Sequence, residues 1–154
     1  MSQVKKRPKI RLELLEELPF VLADVDGLVE VFTKLLNNAC KFTPEEGEII
    51  VKAEVQNIGA IDNLFQSRQM LEIVIADTGR GIDENELEII FERFSQSEKY
   101  LRRTVGGAGL GLIICRKIIE DMGGQIWATS SGKDRGSQFH FTLPIGSQSE
   151  TNFL

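Results

Sequence analysis

The sequence predicts an α+β fold: a two-layer sandwich with one mixed β-sheet and helices on one of its faces. Three observations lead there. The stretches from Asp26 to Pro44 and from Leu110 to Met122 repeat apolar residues at helical spacing. Shorter stretches, Glu48–Val55, Leu71–Ala76 and Ser137–Leu143, alternate or run apolar as strands do. The chain also ends on two strands joined by a tight turn, and an antiparallel finish after mixed elements fits a mixed sheet. No internal repeat is visible.

Residues 1–9 place Lys5, Lys6, Arg7 and Lys9 around Pro8 and read as a leader or linker from an upstream helical domain. An electrostatic docking strip is the alternative. Ile10–Leu14 and Phe20–Leu22 read as short strands separated by Glu16, Glu17 and Pro19. Asp24 suits an N-cap, and Leu28, Val29, Phe32, Leu35, Leu36 and Ala39 then mark one helix face until Pro44. Gly47 opens the strand Glu48–Val55. Residues 56–70 contain Gly59, Asp62, Asn63 and Ser67 and read as a long hairpin connection, or as one with a helical piece at Leu64–Phe65.

Leu71–Ala76 is nearly continuous in apolar residues, which suits a strand covered on both faces. Asp83 caps a short acidic helix, Glu84–Phe91. From Ser95 to Thr104 the chain turns polar and basic, with Gln96, Ser97, Lys99, Arg102 and Arg103. Glycines at 106, 107, 109 and 111 lead into the second long helix, which carries Leu112, Ile113, Cys115, Ile118 and Ile119 and ends at Gly123-Gly124. Gln125–Thr129 and Ser137–Leu143 form the antiparallel pair, around a turn with Gly132 and Gly136. One domain over residues 10–145 is expected, with a fraying polar tail at 146–154.

Composition narrows the function classes. The chain has 154 residues, 42% hydrophobic and 27% charged, enough to bury one core without staples. Its net charge of −5 argues against a nucleic-acid surface. Cys40 and Cys115 sit in apolar helical patterns, not in metal-type pairs, and read as buried thiols of a reducing compartment. No apolar run approaches the ~20 residues of a bilayer span and no signal-peptide pattern opens the chain, so the expectation is a cytoplasmic domain without membrane contact.

Three motifs can carry chemistry, and each has a plainer reading. Gly106-Gly107-Ala108-Gly109-Leu110-Gly111-Leu112 precedes a helix, where backbone amides can face a phosphate. It lacks the Lys-Ser/Thr ending of a P-loop, and a flexible loop is the plain alternative. Asp77-Thr78-Gly79-Arg80-Gly81-Ile82 puts a carboxylate at the end of a buried strand, where it needs a donor such as the exocyclic amine of adenine. Glycines two and four positions later let a flat base approach the backbone. A strand-end turn is the alternative. Asn37-Asn38-Ala39-Cys40-Lys41-Phe42 sets Asn38 and Lys41 on one helix face, where an amide oxygen can ligate Mg²⁺ and a lysine can neutralise phosphate; a solvated helix end is the alternative.

Taken in order, the Asn…Lys helix face, the strand ending Asp-x-Gly-x-Gly, Phe91-Glu92-Arg93-Phe94 and Gly-x-Gly-Leu-Gly-Leu closely resemble the catalytic domain of sensor histidine kinases. That domain has the Bergerat fold, shared with gyrase, the heat-shock chaperone and mismatch-repair ATPases, and the resemblance covers about residues 10–145. It implies that ATP and Mg²⁺ are bound. Asn38 would hold Mg²⁺, Lys41 would contact phosphate, and Phe42 would lie beside adenine. Asp77 would accept the adenine amine, with Gly79, Gly81 and Ile82 shaping its pocket. Phe91 and Phe94 would anchor a lid, Ser95–Val105, whose Arg102 or Arg103 would reach phosphate. Gly107, Gly109 and Gly111 would form the phosphate-side hinge, with Leu110 and Leu112 seating the helix.

One position departs from the pattern. Many histidine kinases carry a second Asn four residues before the first, where this chain has Lys34; the hydrolysing branch resembles a pattern with Glu there. A protonated lysine cannot serve as the base for water, so vigorous ATP hydrolysis is disfavoured. The phosphoacceptor must come from elsewhere. His140, the chain's only histidine, lies in an alternating strand and is followed by Phe141, not by the acidic residue of the family's acceptor motif.

The resemblance therefore implies a domain that donates the γ-phosphate to a histidine on a separate dimerisation domain of the same protein, with a response regulator later in the relay. The whole protein is then a cytoplasmic kinase or a membrane-anchored sensor. An anti-sigma-type serine kinase and a degenerate, nucleotide-free interaction module are the alternatives.

Overall fold

The computed structural model describes residues 6–59, 67–92 and 109–146. In chain order these form β1 (Lys9–Glu13), α1 (Val25–Phe42), β2 (Glu48–Gly59), β3 (Ser67–Asp77), α2 (Glu84–Leu87), α3 (Gly109–Asp121), β4 (Ile126–Thr129) and β5 (Ser137–Pro144). The five strands make one sheet in the order β1-β2-β3-β5-β4. β1 runs parallel to β2 and every other pair is antiparallel, so the sheet is mixed.

Alternation along the strands builds the core. Ile49, Val51 and Ala53 of β2, Leu71, Ile73 and Ile75 of β3, and Phe139, Phe141 and Leu143 of β5 all point to one face. Against them pack Val31, Leu35 and Ala39 of α1 and Leu112, Cys115 and Ile119 of α3. Each large side chain so buried contributes about 1.5–3 kcal/mol. Asp24 starts α1 by accepting a hydrogen bond from Gly27 N–H at 3.0 Å, and α1 ends where Thr43 N–H reaches the Ala39 carbonyl. Burial pushes the Cys115 thiol up to about 12, while Cys40 is only half-buried.

Four expectations change. The Leu71–Ala76 segment is covered on one face only: Ile73 and Ile75 are buried, whereas Glu72, Val74 and Ala76 are half-buried on the other side. There, polar side chains stand in for a second helical layer. His140 Nδ1 lies 2.8 Å from Glu72 Oε1, His140 Nε2 lies 3.0 Å from Thr129 Oγ1, and Gln56 Nε2 donates to Glu72 Oε2 at 2.9 Å. Trp127 stacks on the imidazole with centroids 5.1 Å apart.

The hairpin connection is also shorter than expected, because Gln56–Gly59 and Ser67–Met70 pair as strand; their mostly polar sequence gives no clear period, yet the ladder satisfies their backbone. Leu64 and Phe65 lie outside the described residues. Phe20–Leu22 is not a strand but a single bridge, Val21 to Ile145, beside Pro144, which has no N–H to extend the ladder. The acidic helix stops at Leu87, and the chain tightens into turns that seat Ile90 and Phe91 in the core. Among the described residues no helix is long and apolar enough to cross a membrane.

Candidate functional site

The site grows from the end of β3. Asp77 is 8% exposed and pairs with Ile49 on one side and Ser137 on the other. Its Oδ1 accepts the Gly79 N–H at 2.8 Å and its Oδ2 accepts the Ser137 hydroxyl at 2.7 Å. A carboxylate this deep is tolerated because both oxygens meet donors. Thr78 stitches the loop to β2 by accepting the Glu48 N–H at 2.9 Å.

Two glycines let the loop turn here, for different reasons. A Cβ on Gly79 would stand 2.3 Å from the Phe42 carbonyl oxygen, so the chain passes directly under the end of α1. Gly81 has φ +74°, and a Cβ there would stand 2.0 Å from the Gly132 carbonyl oxygen. Between them, the Arg80 guanidinium lies 4.4 Å above the Phe42 ring.

The turn between β4 and β5 grips the same loop. Gly136 N–H donates to the Gly79 carbonyl at 3.0 Å and Asp134 N–H to the Arg80 carbonyl at 2.6 Å. Ser130 is the hub: its Oγ accepts from Ile82 N–H at 3.0 Å and Gly132 N–H at 3.2 Å, and donates to the Gly136 carbonyl at 2.7 Å.

Beside this loop opens a cleft of about 410 Å³, its mouth included. Phe42, Ile82, Ile90, Leu112 and Phe139 give it apolar walls, and Asn38, Arg80, Glu86 and Ser137 supply polar groups. Apolar faces with a few fixed polar groups suit a flat heterocycle. Asp77 stands behind the wall, one hydrogen bond from the cleft through Ser137. It also faces a second, polar hollow formed with Ser130, Arg135 and Gln138.

Of the residues singled out in the sequence, Asn38, Phe42, Gly81, Ile82 and Leu112 therefore line one cleft, whereas Asp77 and Gly79 do not line it and Asp77 connects to it through Ser137. Lys41 is exposed on the last turn of α1 and is not part of the wall. Gly109, Leu110 and Gly111 open α3. Phe91 is buried and meets Phe139 edge to face at 6.1 Å. Phe94, Arg102, Arg103, Gly107 and the lid Ser95–Val105 lie outside the described residues. Arg80, Glu86, Ile90, Ser137 and Phe139 were not singled out as site residues; a small polar residue on the inward face of an otherwise apolar strand was the signal at Ser137.

The residues present fit a nucleotide with a divalent cation. Asn38 is 6% exposed, lines the cleft, and makes no side-chain hydrogen bond to any described residue. Its oxygen is a hard donor of the kind Mg²⁺ takes.

Comparison with known proteins gives the family. Residues 23–147 match the family described as histidine kinase-, DNA gyrase B-, and HSP90-like ATPase. The adaptive-response sensory kinase SasA of Gloeothece citriformis is 41% identical over 143 residues, covering 92% of this chain and 33% of that protein. SasA of Synechocystis sp. is 40% identical over 144 residues, with the same coverage. The chain thus spans about a third of these relatives.

Among solved structures, the catalytic domain of histidine kinase ThkA superposes with a TM-score of 0.67 at 31% identity, covering 89% of this chain and 80% of that one. Full-length ShkA in complex with AMPPNP gives 0.65 at 29% identity, covering 90% of this chain and 26% of that one. The chain belongs to the histidine kinase-, DNA gyrase B- and HSP90-like ATPase family, as a catalytic domain of the histidine-kinase type.

Proposed function

We propose that the cleft binds Mg·ATP and that the domain presents the γ-phosphate to a histidine on a separate dimerisation domain of the same protein, from which a response regulator is later phosphorylated. The observation that carries the reading is the buried Asp77 carboxylate, held between Gly79 N–H and the Ser137 hydroxyl directly behind the wall of an apolar slot. An adenine ring between Phe42 and Ile82 would offer its exocyclic amine towards this acceptor pair. Asn38 would ligate the cation and Lys41 would reach phosphate from the rim, while Gly109 and Gly111 would let backbone amides approach it. Bound Mg²⁺ would screen the triphosphate charge; the protein's own contribution is to orient the nucleotide and shut water out. The AMPPNP complex of ShkA supports a nucleotide in this fold.

His140 is a poor acceptor, since both ring nitrogens are engaged by Glu72 and Thr129 and one face is stacked on Trp127. The phosphorylated histidine is therefore assigned to another domain. Calorimetry tests the pocket: Asp77→Asn turns one acceptor oxygen into a donor and should weaken ATP binding roughly ten- to a hundredfold while the fold persists. Equal affinity in the two proteins would remove the adenine assignment. With radiolabelled ATP, the chain alone should stay unlabelled yet label a separately produced dimerisation domain, and strong self-labelling would overturn the division of roles.

A further inference from the structure

We propose that Lys34 is a phosphate-binding residue of this site and takes over part of the charge neutralisation that a divalent cation supplies; the inference rests on the nucleotide reading above. Lys34 and Asn38 are one turn apart on α1 and share a face. Asn38 is the buried amide that lines the cleft without a hydrogen bond to any described residue. One turn back, the Lys34 stem crosses the start of α3: its Cδ, Cγ and Cβ lie 3.6, 3.8 and 3.9 Å from the position a Cβ on Gly111 would take. No side chain at Gly111 intervenes between the lysine and the helix backbone.

The electrostatics of that placement call for an anion. α3 has 13 residues, and its first N–H groups lack intrahelical acceptors and carry the positive end of the helix dipole. The Lys34 stem crosses α3 at Gly111, within its first turn, so the ammonium is within a side-chain rotation of an anion held at that end. Among the described residues the carboxylate paired with it is Glu30, 3.8 Å from the ammonium, with the two side chains 32% and 48% exposed. A pair that long and that wet holds the ammonium weakly, so it is free to turn to a ligand. An anion bound there would lie next to the apolar slot, which Asn38 and Leu112 line, as the polyphosphate of a nucleotide in that slot would.

The test is equilibrium binding of adenosine, ADP and ATP, with Mg²⁺ or with EDTA, to the chain and to its Lys34→Gln, Lys34→Arg and Asp77→Asn variants. Lys34→Gln should weaken ATP binding in EDTA roughly ten- to a hundredfold, the value of a hydrogen bond to a charged group, and by less with Mg²⁺. Adenosine affinity should stay unchanged and Lys34→Arg should retain most of the ATP affinity. Unchanged ATP binding by Lys34→Gln, or a loss shared equally by adenosine, overturns the proposal. If wild type binds neither ligand, or Asp77→Asn changes nothing for either, the underlying nucleotide reading fails instead.

Discussion

Removing one hydroxyl should loosen two elements at once. Ser130→Ala deletes the acceptor of the Ile82 and Gly132 N–H groups and the donor to the Gly136 carbonyl. Gly132 is half-exposed and recovers a partner from water, whereas Gly136 is buried and Ile82 faces the cleft. Two poorly compensated groups at about 1–2 kcal/mol each give a loss of about 2–4 kcal/mol, a large part of a domain stability of roughly 5–15 kcal/mol. With a urea slope of about 2 kcal/mol/M, the unfolding midpoint should fall by about 1–2 M. Affinity for adenosine should fall as well, since Gly81 and Ile82 are no longer pinned. Urea titration followed by Trp127 fluorescence measures the first effect and calorimetry the second. A midpoint within ~0.3 M of wild type, with unchanged adenosine binding, would refute the view that this serine couples the β4–β5 turn to the cleft.

Two further predictions concern the core. Phe141 is 0% exposed and meets Phe32 edge-on at 5.4 Å, so Phe141→Ala should cost about 3–5 kcal/mol; a loss below ~1 kcal/mol in denaturant would contradict the packing. The two thiols should react unequally: at pH 8 a disulfide reagent should modify the half-buried Cys40 and reach Cys115 only on unfolding, and two equally fast thiols would be the contrary result. The raised Cys115 value gives a pH signature. Below its ordinary value of 9.0 both states keep the proton and stability is full; between there and about 12 the unfolded chain loses it first, so stability falls as pH rises. Between pH 8 and 10 wild type should lose about 1 kcal/mol more than Cys115→Ala, and parallel curves would remove the assignment.

The sheet-and-helix architecture was legible because α1 and α3 bury faces of strict helical period and β5 alternates from Ser137 to Leu143. What escaped was whatever depends on non-local pairing. Gln56–Gly59 and Ser67–Met70 look like loop until each supplies the other's ladder, and Leu71–Ala76 looks doubly covered until His140 and Trp127 are seen to shield its second face. The cleft divides in the same way. Asn38, Phe42, Gly81 and Ile82 announce themselves through local motifs on single segments. Ser137 and Ser130 do not: one contacts Asp77 sixty residues away and the other Ile82 forty-eight residues away. A serine in a turn looks like any other serine until the fold closes.

The two ends of the cleft are built from different layers, and this separates their roles. Asp77 and Ser137 are neighbours in the central β3–β5 ladder, and Gly79, Arg80 and Ile82 are tied to the β4–β5 turn by backbone bonds and by Ser130, so the proposed base-binding end is anchored to the sheet. Lys34 and Gly111 instead meet where α1 crosses α3, one helical turn from Asn38. On the nucleotide reading proposed above, a small shift of one helix against the other would move the phosphates while the base stays in place. A domain built this way can hold its nucleotide by the base and re-aim the terminal phosphate, which is what delivery to an acceptor on another domain requires. It follows that substitutions on the sheet side should reduce adenosine and ATP binding in equal ratio, whereas substitutions at the helix crossing should alter the ratio itself. A set of helix-crossing variants with a constant ratio would show that the two ends act as one unit.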